Sequence, residues 1–156
     1  MNASNLPIHT RVLIIEDHTA VVRIVWEALD GAGYSTKQAI ANDQRQVQRA
    51  RKFRPHVLCV GSSAGAAQAA HQLAMLREAA GLEHVPVILL SHSQHGAGAS
   101  QIMELEDSRT RVLHGPFSQR LLLACIQELC AQKTTQETTR KTSGANPEEL
   151  LSGLAN

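Results

Sequence analysis

The chain has 156 residues, of which 43% are apolar and 19% charged, and its formal net charge is +1. This length suits one globular domain with its own core. The near-neutral balance argues against a direct nucleic-acid partner and against an acidic disordered chain. No apolar run approaches the ~20 residues of a membrane span, and the N-terminal residues lack a secretory signal pattern. Three cysteines without a pairing pattern predict reduced thiols and a cytoplasmic protein.

Short apolar runs alternate with helical patterns along most of the chain. After a flexible leader over residues 1–10, strands are predicted at Arg11–Glu16, Tyr34–Ile40, Val57–Gly61, Val85–Ser91 and Val112–His114. Helices are predicted to run from His18 to Leu29, from the cap Asn42 to Phe53, from Gly65 to Ala80, from Gln101 to Glu106, and from Gln119 to Gln132 after the cap Ser118. This alternation predicts an α/β fold, a flavodoxin-like doubly wound (βα)5 sandwich with a five-stranded parallel sheet.

The chain changes composition after the last predicted helix. From Lys133 to residue 156 it is rich in Thr, Gln, Lys and Ser, which is typical of a polar tail or linker. Asn146 and Pro147 can start a short helix over residues 147–154. We therefore expect one domain over residues 11–132.

The carboxyl ends of the predicted strands are where an open α/β sheet gathers ligands and chemistry. The first strand and the two acidic residues at its end read Val-Leu-Ile-Ile-Glu-Asp (residues 12–17), and the third strand ends at Gly61. The fourth strand ends at Ser91, and the fifth continues into Gly115-Pro116-Phe117.

In this order and at this spacing, the motifs of residues 11–132 resemble a response-regulator receiver (CheY-like) domain. In that family an acidic pair follows the first strand, and the third strand ends in the phosphate-accepting aspartate. The fourth strand ends in a switch serine or threonine, and a Lys-Pro-Phe turn follows the fifth.

The departures from the receiver pattern fall on the residues that carry its chemistry. That chemistry needs an attacking carboxylate, Mg²⁺ held by the acidic pair together with that carboxylate, and a lysine that neutralises charge. Gly61 stands in the place of the nucleophile, Gly115 in the place of the lysine, and Val112 in the place of the aromatic switch residue. The resemblance therefore implies a degenerate receiver that takes no aspartyl phosphate. We expect no cofactor and no metal, with weak Mg²⁺ affinity at most at Glu16 and Asp17.

The remaining residues of this degenerate phosphorylation pocket have simpler interpretations. Asp17 can cap the first helix, which we prefer to a metal-binding role for the acidic pair. Ser91 can end a strand and bond a loop amide instead of acting as a switch. Gly115 and Pro116 can retain the turn of the family together with its cis peptide bond.

A second interpretation treats the chain as a small serine hydrolase. Residues 61–65 read Gly-Ser-Ser-Ala-Gly and match the nucleophile-elbow pattern, with Ser63 as the nucleophile and Asp107 and His114 following in the required order. The chain is short for that fold and lacks the oxyanion-hole motif, so we prefer a loop of small residues. The same loop lacks the lysine of a phosphate-binding loop. His92 and His95 lie in a glycine-rich loop without cysteines or nearby carboxylates, so they are weak evidence for a metal site, and we prefer a solvated loop.

The receiver resemblance also implies a contact surface formed by the fourth helix, fifth strand and fifth helix, which carries dimerisation and partner contacts in the family. Apolar residues exceed what the core requires on these predicted elements, although ordinary core packing explains them equally well. The interaction face that we predict consists of Ile102, Met103, Leu105, Val112, Leu121 and Leu123.

Taken together, the residues predict an atypical receiver in two-component or phosphorelay signalling that is not an enzyme. We expect it to act through phosphorylation-independent protein–protein contacts, with a homodimer through the predicted face. The chain also resembles the N-terminal domains of TadZ/CpaE-type pilus-assembly ATPases.

Overall fold

The computed structural model describes residues 10–39, 43–61, 66–91 and 107–143. Five strands form one parallel sheet in the order β2-β1-β3-β4-β5, which confirms the predicted flavodoxin-like doubly wound fold. The strands are β1 (Arg11–Ile15), β2 (Ser35–Gln38), β3 (Val57–Gly61), β4 (Val87–Ser91) and β5 (Thr110–His114). The helices are α1 (Thr19–Gly31), α2 (Gln44–Phe53), α3 (Ala66–Ala80) and α4 (Gln119–Ser143). The helices predicted at Gln101–Glu106 and over residues 147–154 lie outside the described residues.

The core consists of two layers, one on each face of the sheet. Successive residues of β1 alternate between them, because side chains of a strand point to opposite faces. Val12 and Ile14 belong to a cluster with buried residues of α1 and α4, whereas Leu13 and Ile15 belong to a cluster with α2 and α3. Strands buried on both faces read as continuous apolar runs, which is why β1, β3 and β4 are evident in the sequence.

Several boundaries differ from the predicted ones. β4 begins at Val87 and not at Val85, because Pro86 has no N–H to donate to a ladder and only its carbonyl accepts, from Leu58 N–H at 2.9 Å. The N-cap of α2 is Asp43, whose carboxylate accepts from Arg45 N–H at 2.8 Å. Asn42, the predicted cap, lies outside the described residues. Arg54 ends α2 in the left-handed conformation with φ of 50°.

The last helix is longer than predicted. α4 continues from Gln132 to Ser143, so the predicted end of this helix at Gln132 is wrong. Lys, Gln, Glu and Arg in this stretch favour a helix, whereas its five Thr residues do not. Extending an existing helix avoids the cost of a new nucleus. Within the described residues, no helix combines the length and apolar content needed to cross a bilayer.

Candidate functional site

Glu16 is the buried carboxylate at the carboxyl end of β1. Its side chain is 3% exposed, and its Oε1 accepts hydrogen bonds from the backbone N–H groups of Asp17 (3.0 Å) and His18 (2.9 Å). These bonds fix the turn that leads from β1 into α1. Asp17 is exposed, and α1 takes His18 as its N-cap residue without a capping bond from that side chain. The N-cap position thus falls one residue after Asp17, the predicted cap, and Glu16 bonds the amides of this turn.

Gly61 ends β3 beside Glu16. A Cβ atom added to Gly61 would overlap with Oε2 of Glu16 and would lie 3.1 Å from Cδ of Glu16 and 3.2 Å from Cβ of Leu90. The carboxylate of Glu16 thus occupies the space in which a side chain at position 61 would begin. The register between β1 and β3 explains the contact. Ile15 pairs with Val60, so the residues that follow them, Glu16 and Gly61, lie side by side.

The carboxyl ends of β4 and β5 lie side by side at the same edge of the sheet. Ser91 is buried at the end of β4 and pairs with His114 at the end of β5. The N–H of Gly115 donates to the carbonyl oxygen of Ser91 at 2.6 Å, and the peptide bond between Gly115 and Pro116 is cis. Parallel pairing therefore brings all the residues of the predicted phosphorylation pocket to one edge of the sheet: Glu16, Asp17, Gly61, Ser91, Gly115 and Pro116.

This edge does not fit the Mg²⁺ site of a receiver. Such a site uses carboxylate oxygens from the acidic pair and from the residue that ends the third strand. Position 61 supplies no oxygen from a side chain, and Glu16 directs one oxygen to two backbone amides and the other over Gly61. Within the described ranges, no three His, Cys, Asp or Glu side chains come together as a metal-binding group.

The residues of the hydrolase interpretation do not assemble. Asp107 lies at the amino end of β5, where its N–H donates to the carbonyl of Thr110 and its Oδ1 accepts from Arg109 N–H at 2.7 Å. His114 ends the same strand, and five residues of strand separate the two ends by about 13 Å. A catalytic His and its orienting carboxylate must be within hydrogen-bond reach, so Asp107 and His114 cannot share a triad. Ser63 lies outside the described residues, as do His92 and His95.

The predicted interaction face is described only in part. Leu121 is 48% exposed near the start of α4. Val112 and Leu123 are half-buried, and each packs against one of the two core clusters. A salt bridge between Arg111 and Glu128 (2.6 Å) joins β5 to α4 on this side of the molecule. Ile102, Met103 and Leu105 lie outside the described residues.

The fold is similar to that of solved receiver domains. The signal receiver domain of a modulated diguanylate cyclase from Desulfovibrio desulfuricans G20 aligns with TM-score 0.62 and 21% identity, over 81% of this chain and 97% of that chain. The chemotaxis protein CheY4 of Vibrio cholerae aligns with TM-score 0.61 and 21% identity, over 78% and 98% of the two chains. The anti-anti-sigma factor PhyR of Bartonella quintana aligns with TM-score 0.63 and 17% identity, over 89% of this chain and 54% of that chain.

These likenesses confirm the CheY-like receiver fold. No protein-family model matches the chain, and no curated protein matches it.

Proposed function

We propose that this protein is a signalling module of the receiver fold that acts through contacts with other proteins, without phosphorylation and without catalysis. The observation that carries the proposal is the carboxylate of Glu16 over Gly61. In a receiver the side chain at that position attacks the phosphoryl donor. Here the position has no side chain, and a buried carboxylate from the neighbouring strand fills the space.

The surrounding residues support the same conclusion. Phosphoryl transfer depends on positioned cations that neutralise the charge of the transferred group. Gly115 replaces the lysine that the receiver resemblance requires, and the acidic pair lacks its third metal ligand. Glu16 also places a negative group where an incoming phosphoryl group would have to approach, which raises the electrostatic cost of that approach. We therefore infer that binding of partner proteins, and not phosphorylation, controls signalling by this protein.

Incubation with labelled acetyl phosphate and Mg²⁺ tests the chemical part of the proposal. We expect no label that hydroxylamine removes, since such a label marks an acyl phosphate on a carboxylate. A receiver domain that retains its aspartate serves as the positive control in the same buffer. A hydroxylamine-labile label on this protein would contradict the proposal.

The contact surface that we propose is the predicted interaction face, which includes Leu121. Leu121 offers an apolar side chain to solvent, as an interaction face requires. We propose that two copies of the chain associate through this face. Light scattering at high protein concentration should give more than the mass of one chain, and Leu121→Asp should restore the single-chain mass.

Met75 provides a matched control for that experiment. It lies on α3 and is 43% exposed, close to the value for Leu121. Met75→Asp introduces the same charge at a similarly exposed apolar position and should leave the oligomeric state unchanged. Equal effects of both substitutions, or a single-chain mass for the unmodified protein at every concentration, would exclude a dimer through the Leu121 face.

The setting that we propose is the cytoplasm. Cys59, Cys125 and Cys130 form no disulfide, as is usual where thiols are kept reduced. The likeness to the N-terminal domains of TadZ/CpaE-type proteins remains a prediction from the sequence.

A further inference from the structure

Positive charge is concentrated in the part of the chain that forms β2 and α2. Residues 35–54 carry six of the fifteen Lys and Arg residues of the chain but only one of its fourteen Asp and Glu residues, Asp43. The whole chain has a formal charge of only +1, so the remaining residues are net negative. Positive and negative charges are therefore segregated along the chain, and the positive segment contains β2 and α2.

Within this region, one concave site is surrounded by cations. We call it the basic pocket, and its lining residues are Arg11, Lys37, Arg51, Lys52, Phe53 and Arg54. Three separate elements contribute: Arg11 begins β1, Lys37 belongs to β2, and the others lie at the C-terminal end of α2. None of the lining residues is acidic. The length of β1, about 13 Å between its end residues, separates the pocket from the edge at which Glu16 and Gly61 meet.

Two of the cations are held in place by the protein. The backbone N–H of Arg11 donates to Nδ1 of His56 (2.9 Å), and its Nε donates to the carbonyl oxygen of Arg54 (2.9 Å). The ammonium group of Lys37 lies 5.3 Å from the ring centroid of Phe53. Side chains that are already ordered lose less conformational entropy when a ligand binds. The pocket is thus partly organised for an anion.

Helix electrostatics explain only some of these residues. Arg51 and Lys52 lie in the last turn of α2, where cations interact favourably with the negative end of the helix dipole. Arg11 also donates to the carbonyl of Arg54, the C-cap residue of α2, so the same explanation covers it. It does not extend to Lys37, which comes from β2 and lines the same concavity. Five cations around one depression repel one another, and a bound anion with several charges would remove that cost.

We propose that the basic pocket binds a compact, multiply charged phosphate group, such as the polyphosphate part of a small ligand. Guanidinium groups suit phosphate because their N–H donors match two of its oxygens at once. The convergence of cations from β1, β2 and α2 favours a compact anion over an extended one. An extended polyanion such as single-stranded nucleic acid would also use Arg45 and Arg49, which are exposed on α2 and do not line the pocket.

Calorimetric titration with inorganic tripolyphosphate, at an ionic strength of about 0.15 M that screens diffuse attraction, tests the proposal. The informative variant is Arg51→Gln with Lys52→Gln. Its matched control is Arg45→Gln with Arg49→Gln, which removes the same charge from exposed positions of the same helix. We expect the pocket variant to lose at least about tenfold in affinity and the control less than about twofold, since each charge-assisted contact contributes about a tenfold factor.

A third variant, Lys37→Gln, leaves α2 unchanged and separates ligand contacts from effects on the helix. It should weaken tripolyphosphate binding by about tenfold, the contribution of one charge-assisted contact. Circular dichroism melts establish that each variant is folded. The proposal is wrong if both double variants lose affinity equally, if the unmodified protein does not bind millimolar tripolyphosphate, or if sulfate at equal ionic strength binds as tightly. It is also wrong if a single-stranded oligonucleotide binds more tightly and responds equally to both pairs of substitutions.

Discussion

The carboxylate of Glu16 lies beside the α-carbon of Gly61, with Oε2 so close that it would overlap with a Cβ atom at that position. The other carboxylate oxygen accepts from the N–H groups of Asp17 and His18. Glu16 can hold this conformation only because position 61 has no side chain, and a larger residue at 61 requires Glu16 to leave. The two residues therefore form one structural unit whose parts should be energetically coupled.

Gly61→Ala should destabilise the protein. The new methyl group overlaps with Glu16 and approaches Leu90 to 3.2 Å, so the Glu16 side chain must swing away from the two amides that it accepts. We expect the free energy of unfolding in urea to fall by about 1–3 kcal/mol. Gly31→Ala is the control: a Cβ at Gly31 meets nothing within 4 Å, and alanine is the better helix former. A loss of stability at position 31 as large as that at position 61 would argue against the overlap.

Glu16→Ala should also destabilise the protein, because it leaves the N–H groups of Asp17 and His18 without this acceptor. We expect a cost of about 1–3 kcal/mol. The diagnostic measurement is a double-mutant cycle in urea. Gly61→Ala should cost clearly less in the Glu16→Ala background than in the unmodified protein, with a coupling of at least about 0.5 kcal/mol. Strictly additive effects would show that the two residues do not interact.

The three cysteines should react with a thiol reagent in a fixed order. Burial, with Cys125 as a smaller contribution, raises the pKa of the Cys59 thiol to about 12, so almost no reactive thiolate exists at pH 8. Cys125 is buried and Cys130 is half-buried. In the native protein, Cys130 should therefore react first, and Cys59 should react only as fast as the protein unfolds. Mass spectrometry of labelled peptides measures the order, and Cys130→Ser should remove the fast phase. Rapid labelling of Cys59 without denaturant would contradict its burial.

The protein should lose folding stability at acidic pH, and part of that loss should come from protonation of Asp107. The backbone N–H of Arg109 donates to this carboxylate and holds its pKa below the usual value. A carboxyl group whose pKa is lower in the folded protein stabilises it above the unfolded pKa of about 4, and the stabilisation is lost as the pH falls through the folded value. Asp107→Asn should therefore lower the melting temperature slightly at pH 6, and the melting temperatures of the two proteins should converge as the pH falls below about 4. A difference that persists unchanged at pH 2 would assign the effect to the amide substitution and not to the charge.

Much of the architecture could be predicted from the sequence because the central strands are buried on both faces. Val57–Gly61 forms a strand with the predicted bounds, and the residues at the strand ends lie at one edge of the sheet as the parallel topology requires. The contact between Glu16 and Gly61 could not be predicted, since it depends on the register between β1 and β3 and on one side-chain conformation. The extension of α4 was missed because its residues have the polar composition of a linker.

The basic pocket was missed for a different reason. Total charge averages over the chain, and a value of +1 hides the separation of cations and carboxylates. A count of charges along the sequence would have revealed the excess over residues 35–54. It would not have revealed that Arg11 joins that group, because this depends on the hydrogen bond from Arg11 to the carbonyl of Arg54 at the end of α2.

α4 is long enough that a small tilt at Leu129 displaces its C-terminal end. Leu129 is the last residue of the helix assigned to the buried core among the described side chains, and the helical backbone continues to Ser143. At 1.5 Å per residue, this part of the helix measures about 21 Å, more than the length of any described strand of the sheet. A tilt of the helix by about 10° at Leu129 would displace Ser143 by about 4 Å. Small changes in packing between α4 and the sheet would thus be amplified mechanically at the distal end of the helix.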